Sequence, residues 1–175
     1  MQPSSNLMQR HMVLISRVLI PWLVLLPALW MGNGCGDSTD SDPPAGETVD
    51  GMEADVYSQI NRYRRLQGLP DLEWDETIAT YCRIHSMDMA DGRTAFGHDG
   101  FEDRVDAIGE SISVSAAAEN VAYNNYGDPA SVAVQSWLES PGHLANIEGD
   151  FDLTGVGVGV SNTGVYYFTQ IFIRQ

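Results

Sequence analysis

The chain has 175 residues, 24 of them acidic and nine basic, for a net charge of −15, and every basic residue is Arg. Such a surface repels phosphate backbones and excludes general nucleic-acid binding. Hydrophobic residues at 43% exclude wholesale disorder, the length suits one domain with an appendage, and two Cys exclude a disulfide-dense scaffold or a Cys-rich zinc module.

No acid precedes Asp37, whereas Arg10 and Arg17 both lie before it. Behind them Val18–Met31 reads VLIPWLVLLPALWM, an apolar run of signal-peptide length, interrupted by two prolines and short for a membrane span. Residues 1–34 therefore read as a signal peptide. Its end, Gly32-Asn33-Gly34-Cys35, resembles a bacterial lipoprotein processing site, although Gly32 stands where Leu is usual. That likeness predicts cleavage before Cys35 and a lipid on its sulfur, so that contact with a membrane is only through the anchor. An ordinary cleaved signal and an uncleaved anchor are the other readings, and all three export the domain. Residues 35–51 are rich in Asp, Ser, Pro and Gly and are expected to form a disordered acidic tether.

The folded domain is expected over 52–175. Val56, Ile60 and Tyr63 recur at helical spacing until Gly68. Asp75 can cap a second helix, on which Ile78, Tyr81, Cys82, His85 and Met89 share a face until Gly92. Cys82 is thus expected to be a buried, inert thiol rather than the partner of Cys35. Asp128-Pro129 opens a third helix with Ala130, Ala133, Val134, Trp137 and Leu138 on its apolar side, and Ser140-Pro141-Gly142 stops it. Strands close the chain. Val156, Val158 and Val160 alternate with glycines, Ser161–Gly164 makes a turn, and 165–173 is β-branched and aromatic. Gly155, Gly157 and Gly159 are not a phosphate cradle, because no helix follows them; they predict a flat strand face against which another element packs closely. The order of elements predicts an α+β layered domain.

Leaving aside His11 in the signal, three histidines remain. His85 lies on the stripe of the second helix and is expected to be structural, buried against the first helix and apart from any site. His98 and His143 sit beside glycines, outside the predicted helices, where imidazoles are free to converge on a cleft. Their local spacing defines no ligand set. Tyr123, Tyr126 and Trp137 are expected as core or cleft wall. Asn120 and Asn146 suit the pinning of loop backbones.

Taken together, His98, the segment Ala118-Glu119-Asn120-Val121-Ala122 and the run from Trp137 to Ile147 resemble the CAP superfamily: cysteine-rich secretory proteins, antigen 5 and pathogenesis-related proteins. The likeness is greatest to its small bacterial secreted members. Asn61-Arg62-Tyr63-Arg64, Leu72-Glu73-Trp74-Asp75, Gly155-Val156-Gly157-Val158 and Phe168-Thr169-Gln170-Ile171-Phe172 extend it over about 52–175. The resemblance implies an α–β–α sandwich with a central antiparallel sheet and an open cleft. It also implies a site of two histidines and a glutamate, here His98, His143 and Glu119, with a divalent metal, zinc being expected. A second glutamate usual in the family falls at Ser140, and Glu139 lies one residue short of it; Ala118 replaces the usual glycine. A two-imidazole, one-carboxylate set leaves a position for water. The role expected is non-catalytic binding of a small-molecule, lipid or cell-wall ligand by a monomeric, exported protein. The alternative is a metal-dependent hydrolase using Glu119, His98 and His143.

Overall fold

The computed structural model describes residues 48–175. The signal segment, Cys35 and the tether as far as residue 47 lie outside the described residues. The first helix, α1 (Val49–Leu66), starts earlier than the sequence suggests, because the Thr48 side chain accepts a hydrogen bond from the Gly51 amide and caps it. The last three residues assigned to the tether, 49–51, are therefore helical.

After Gly68, whose positive φ reverses the chain, come β1 (Glu73–Trp74) and α2 (Glu76–Ala90). The Asp75 carboxylate caps α2 at the Ile78 amide, as its position predicts. Then follow α3 (Phe101–Gly109), β2 (Ala116–Asn124), α4 (Pro129–Glu139) and α5 (Pro141–Ile147). The chain closes with β3 (Leu153–Val160) and β4 (Tyr166–Arg174), joined by the turn containing Gly164. Four of these elements differ from the expectation, the two-residue β1 among them. The α3 helix was not anticipated, nor was β2, whose residues are mostly buried and so show no polar alternation. Pro141 does not merely stop α4; it occupies the first turn of α5, so His143 is helical.

The sheet runs β1-β3-β4-β2. β3, β4 and β2 are antiparallel, and the two-residue β1 pairs in parallel with Leu153 and Thr154 at one edge. Register places Glu119, Ile171 and Gly155 in one row, with Asn120, Gln170 and Val156 in the next, facing the opposite side. On the first face Ile78 and Cys82 of α2 and Ile108 of α3 pack on Leu153, Ile171 and Ile173. On the second, Val56 and Ile60 of α1, Ala133, Val134 and Trp137 of α4 and Ile147 of α5 bury Val156, Val158, Phe168 and Phe172. The result is the α–β–α sandwich, with a core on each face. His85 consequently lies on the side of the sheet opposite α1, contrary to expectation.

The glycine strand is where two elements meet most closely. A Cβ on Gly155, Gly157 or Gly159 would fall 2.2, 2.0 or 2.4 Å from backbone atoms of α2, at Ala79, Arg83 and Ser86. Helix backbone rests directly on strand backbone, and the Cys82 thiol and Ser86 hydroxyl donate to the Gly155 and Gly157 carbonyls at 3.3 and 2.9 Å. Cys82 is fully buried, and burial pushes its thiol far up from its ordinary range, so it is inert as expected.

The free edge of β3 is covered by α1. Buried Glu53 accepts from the Val158 amide at 3.2 Å and from the Arg83 guanidinium of α2 at 2.7 Å. One carboxylate thus ties both helical layers to the strand edge. Among the described residues, no helix is long and apolar enough to cross a membrane.

Candidate functional site

His98 lies between two glycines with positive φ, Gly97 (148°) and Gly100 (74°), in the link from α2 to α3. A chain that reverses this tightly needs residues without a Cβ. Gly100 is the N-cap of α3, and one turn on, Arg104 reaches back toward the sheet.

Glu119 comes from β2, facing α2 and α3, and its carboxylate is almost wholly buried. Its two oxygens have different partners. Oε1 lies 2.9 Å from His98 Nδ1, while Oε2 accepts from Arg104 Nη2 at 2.7 Å and Nε at 3.2 Å. A carboxylate only accepts, so the His98 ring donates through Nδ1 and Nε2 is left bare. The His98 side chain is 52% exposed, and an open recess of about 420 Å³ lies beside it, lined by Asp99, Glu102 and Asp103.

The same Arg104 also binds His85. Its Nη1 donates to the Asp99 carbonyl at 2.9 Å and contacts His85 Nδ1 at 3.2 Å. Guanidinium cannot accept, so Nδ1 must, and the His85 proton sits on Nε2, which bonds the Gly97 carbonyl at 2.9 Å. Burial, reinforced by the Arg104 charge against the pull of the Gly97 bond and nearby carboxylates, holds the His85 pKa below its ordinary value. His85 was expected apart from the site; it is instead wired into it through Arg104.

His143 approaches from α5, over the β2 edge. Asn120 donates to the His143 carbonyl at 3.2 Å, and Asn146 donates to the Glu119 carbonyl and to Asn120 Oδ1. The two amides pin α5 to the strand that carries Glu119, so they hold helix and strand backbone rather than the loop backbones expected. Burial lowers the His143 pKa, and the influence of His98 lowers it further. Nδ1 of His143 is buried with no hydrogen-bond partner.

The fold therefore gathers His98, Glu119 and His143, though not as three ligands. Among the described residues, no group of three or more His, Cys, Asp or Glu side chains is spaced to hold a metal ion. Glu119 is engaged on both oxygens and stands behind His98 rather than beside it. Glu139 takes no part: it is exposed and accepts from Gln135 at 2.9 Å. Of the expected set, only His98 Nε2 and the His143 ring would be left as donors to a metal, with Glu119 orienting the first.

Among the aromatics, Trp137 is core, donating to the Val121 carbonyl. Tyr123 and Tyr126 are 57% and 65% exposed, which contradicts a core role. Tyr123 stacks on Tyr167 and meets Phe96 edge-on, two residues from His98. Arg104 has no signature in the sequence, since a lone Arg on a short acidic helix carries no local motif.

Several known proteins are similar to this chain in sequence or in fold. In Bacillus subtilis (strain 168), an uncharacterized membrane protein YlbC is 34% identical over 70% of this chain and 34% of its own length. An uncharacterized protein YkwD of the same organism is 33% identical over 79% of this chain and 53% of its own. The chain thus spans between a third and just over half of the curated relatives it matches. A crystal structure of an extracellular protein containing an SCP domain from Bacillus anthracis superposes with a TM-score of 0.61 at 30% identity, over 79% of this chain and 45% of that one. An outer surface protein of Borrelia burgdorferi superposes equally well, TM-score 0.61, at 22% identity over 73% of this chain and 96% of that one, a likeness of fold. The model of the cysteine-rich secretory protein family, CAP, matches residues 57–172, and the chain belongs to that family.

Proposed function

We propose that this is an exported binding protein whose cleft presents two imidazoles, His98 and His143, to a divalent metal, zinc by preference, and through it to a small-molecule, lipid or cell-wall ligand. The observation that carries the reading is the buried, unpartnered Nδ1 of His143 next to a His98 ring whose free nitrogen is fixed by Glu119. A buried polar atom without a partner marks a place completed by something else. Two imidazoles make a weak, exchangeable site, and a bound divalent ion would supply Lewis acidity to a ligand there. Both Glu119 oxygens are already engaged, so Glu119 itself is not free to serve as general base, which favours binding over hydrolysis by the expected set.

Zinc titrated into the metal-free protein, with the histidine ring resonances followed, tests this. Shifts at His98 and His143, with His85 unmoved in its cage of Gly97 and Arg104, support it. Equal shifts at all three rings, or none at stoichiometric zinc, reduce the site to a bracing network. The extracellular relative and the basic-then-apolar start support export, and Gly34-Cys35 supports tethering through a lipid on Cys35. Intact mass of the membrane-extracted protein checks that point: a chain that begins elsewhere and lacks acyl mass removes the anchor.

A further inference from the structure

We propose that Arg104, seated on neutral His85, is the positioning residue of this cleft: it orients the side chain at position 119, taking Oε2 for itself and turning Oε1 to His98, so that the atom presented there, an acceptor in Glu119, sets which nitrogen of His98 faces the ligand. The inference deepens the reading of the cleft as a His98 site, but it requires no metal.

The argument rests on donor and acceptor arithmetic. The Arg104 side chain is only 11% exposed and has three acceptors on three separate elements: Glu119 of β2, His85 of α2 and the Asp99 carbonyl of the His98 loop. A guanidinium presents its donors in a rigid fork and never accepts, so each of those groups must offer a lone pair toward it. For His85 this dictates a bare Nδ1 and a protonated Nε2, and that Nε2 grips the Gly97 carbonyl. For Glu119 it dictates that Oε2 is occupied. His98 then meets Oε1 alone, donates from Nδ1, and turns Nε2 outward without a proton. The loop is held on both sides of His98, at the Gly97 carbonyl by His85 and at the Asp99 carbonyl by Arg104. The geometry couples four side chains into one setting.

Groups facing this network from every packed element are few. From α2 they are His85 and, nearby, Asp88; from the loop and α3, His98, Asp99, Glu102 and Asp103; from β2, Glu119; from α5, His143. Only Arg104 among them is a permanent cation, so the division of the carboxylate has no other source.

The substitution Glu119→Gln separates this account from simple packing. With Arg104 in place, the new amide must turn its oxygen to the guanidinium, so its NH₂ faces His98 and His98 Nδ1 has to accept. Long-range ¹H–¹⁵N correlations of the imidazole rings, taken on the metal-free full chain at alkaline pH, report the proton position directly. The wild type should show His98 as the Nδ1–H tautomer and His85 as Nε2–H. In Glu119→Gln, His98 should switch to Nε2–H while His85 stays unchanged. Adding Arg104→Met should abolish the forced switch and leave His98 a mixture of tautomers, whereas Arg104→Lys in the Glu119→Gln background should restore the switch in part. A His98 that keeps Nδ1–H in folded Glu119→Gln, or a wild type with either tautomer reversed, overturns the proposal; the wild-type arm needs no variant to fold. A protein that behaves as expected here yet takes up no zinc keeps this inference and loses the metal reading.

Discussion

Gly157→Ala is the sharpest test of the packing. The added Cβ would lie 2.0 Å from the Arg83 amide nitrogen, 2.2 Å from the Cys82 carbonyl carbon and 2.5 Å from the Arg83 Cα. All three are helix backbone, so no side chain can rotate away. Restoring ordinary contact at 3.4 Å requires α2 to lift by about 1.4 Å, and α2 is also held by Cys82, Ser86 and Arg83. Overpacking a tight interior typically costs 1–3 kcal/mol, and a backbone-on-backbone clash belongs at or above the top of that range. For a domain of this size about 3 kcal/mol lowers the melting midpoint by roughly 10 °C. Gly127→Ala is the control: nothing lies within 4 Å of its Cβ position, so that variant should be neutral or gain up to about 1 kcal/mol. Thermal and urea unfolding of both variants decides the matter. A Gly157→Ala protein within about 1 kcal/mol of wild type would mean that α2 does not rest on the strand as described.

Truncation offers a second check: a chain starting at Gly51 should fold, yet be less stable by about 1 kcal/mol than one starting at Thr48, because it loses the α1 cap. Equal urea midpoints would dismiss the cap. The pH profile follows from burial of His85 and His143, whose folded pKa values are lowered. Their contribution is complete above about 6.5, where folded and unfolded rings are both neutral. Below it the unfolded imidazoles take up protons that the folded ones refuse, so stability falls until the depressed folded values are passed. Melting curves from pH 7.5 to 5 should show this slope, and His85→Gln should flatten it; an unchanged slope in that variant would refute the assignment.

Much of the fold was legible because its signals are local. The Val56–Ile60 stripe, the Asp75 and Asp128 caps and the alternating glycines of β3 each act within a few residues of themselves. β2 was not legible, because the sandwich buries it on both faces and erases the alternation that marks a half-exposed strand. Phe101, Val105 and Ile108 do have helical spacing, but the surrounding acids and two flanking glycines masked α3. Pro141 suits the start of a helix as well as the end of one, and only the fold selects between them. For the site, the family likeness picked out His98, Glu119 and His143. The hub was beyond reach: Arg104 acquires its meaning from acceptors on three elements distant in sequence, and His85 from which side of the sheet its stripe faces.

The nine-residue β2 is an edge strand, and unpaired edges are templates on which other chains can add strands. Here the outward carbonyls of Glu119 and Val121 are taken by the Asn146 amide and the Trp137 indole, while Glu53 occupies the Val158 amide at the opposite side of the sheet. Asn146, which pins the cleft helix, and Trp137 of the core thus deny an incoming strand its hydrogen bonds along the middle of β2. Loosening the cleft at Asn146 would therefore have a second cost, opening a route to edge-to-edge aggregation.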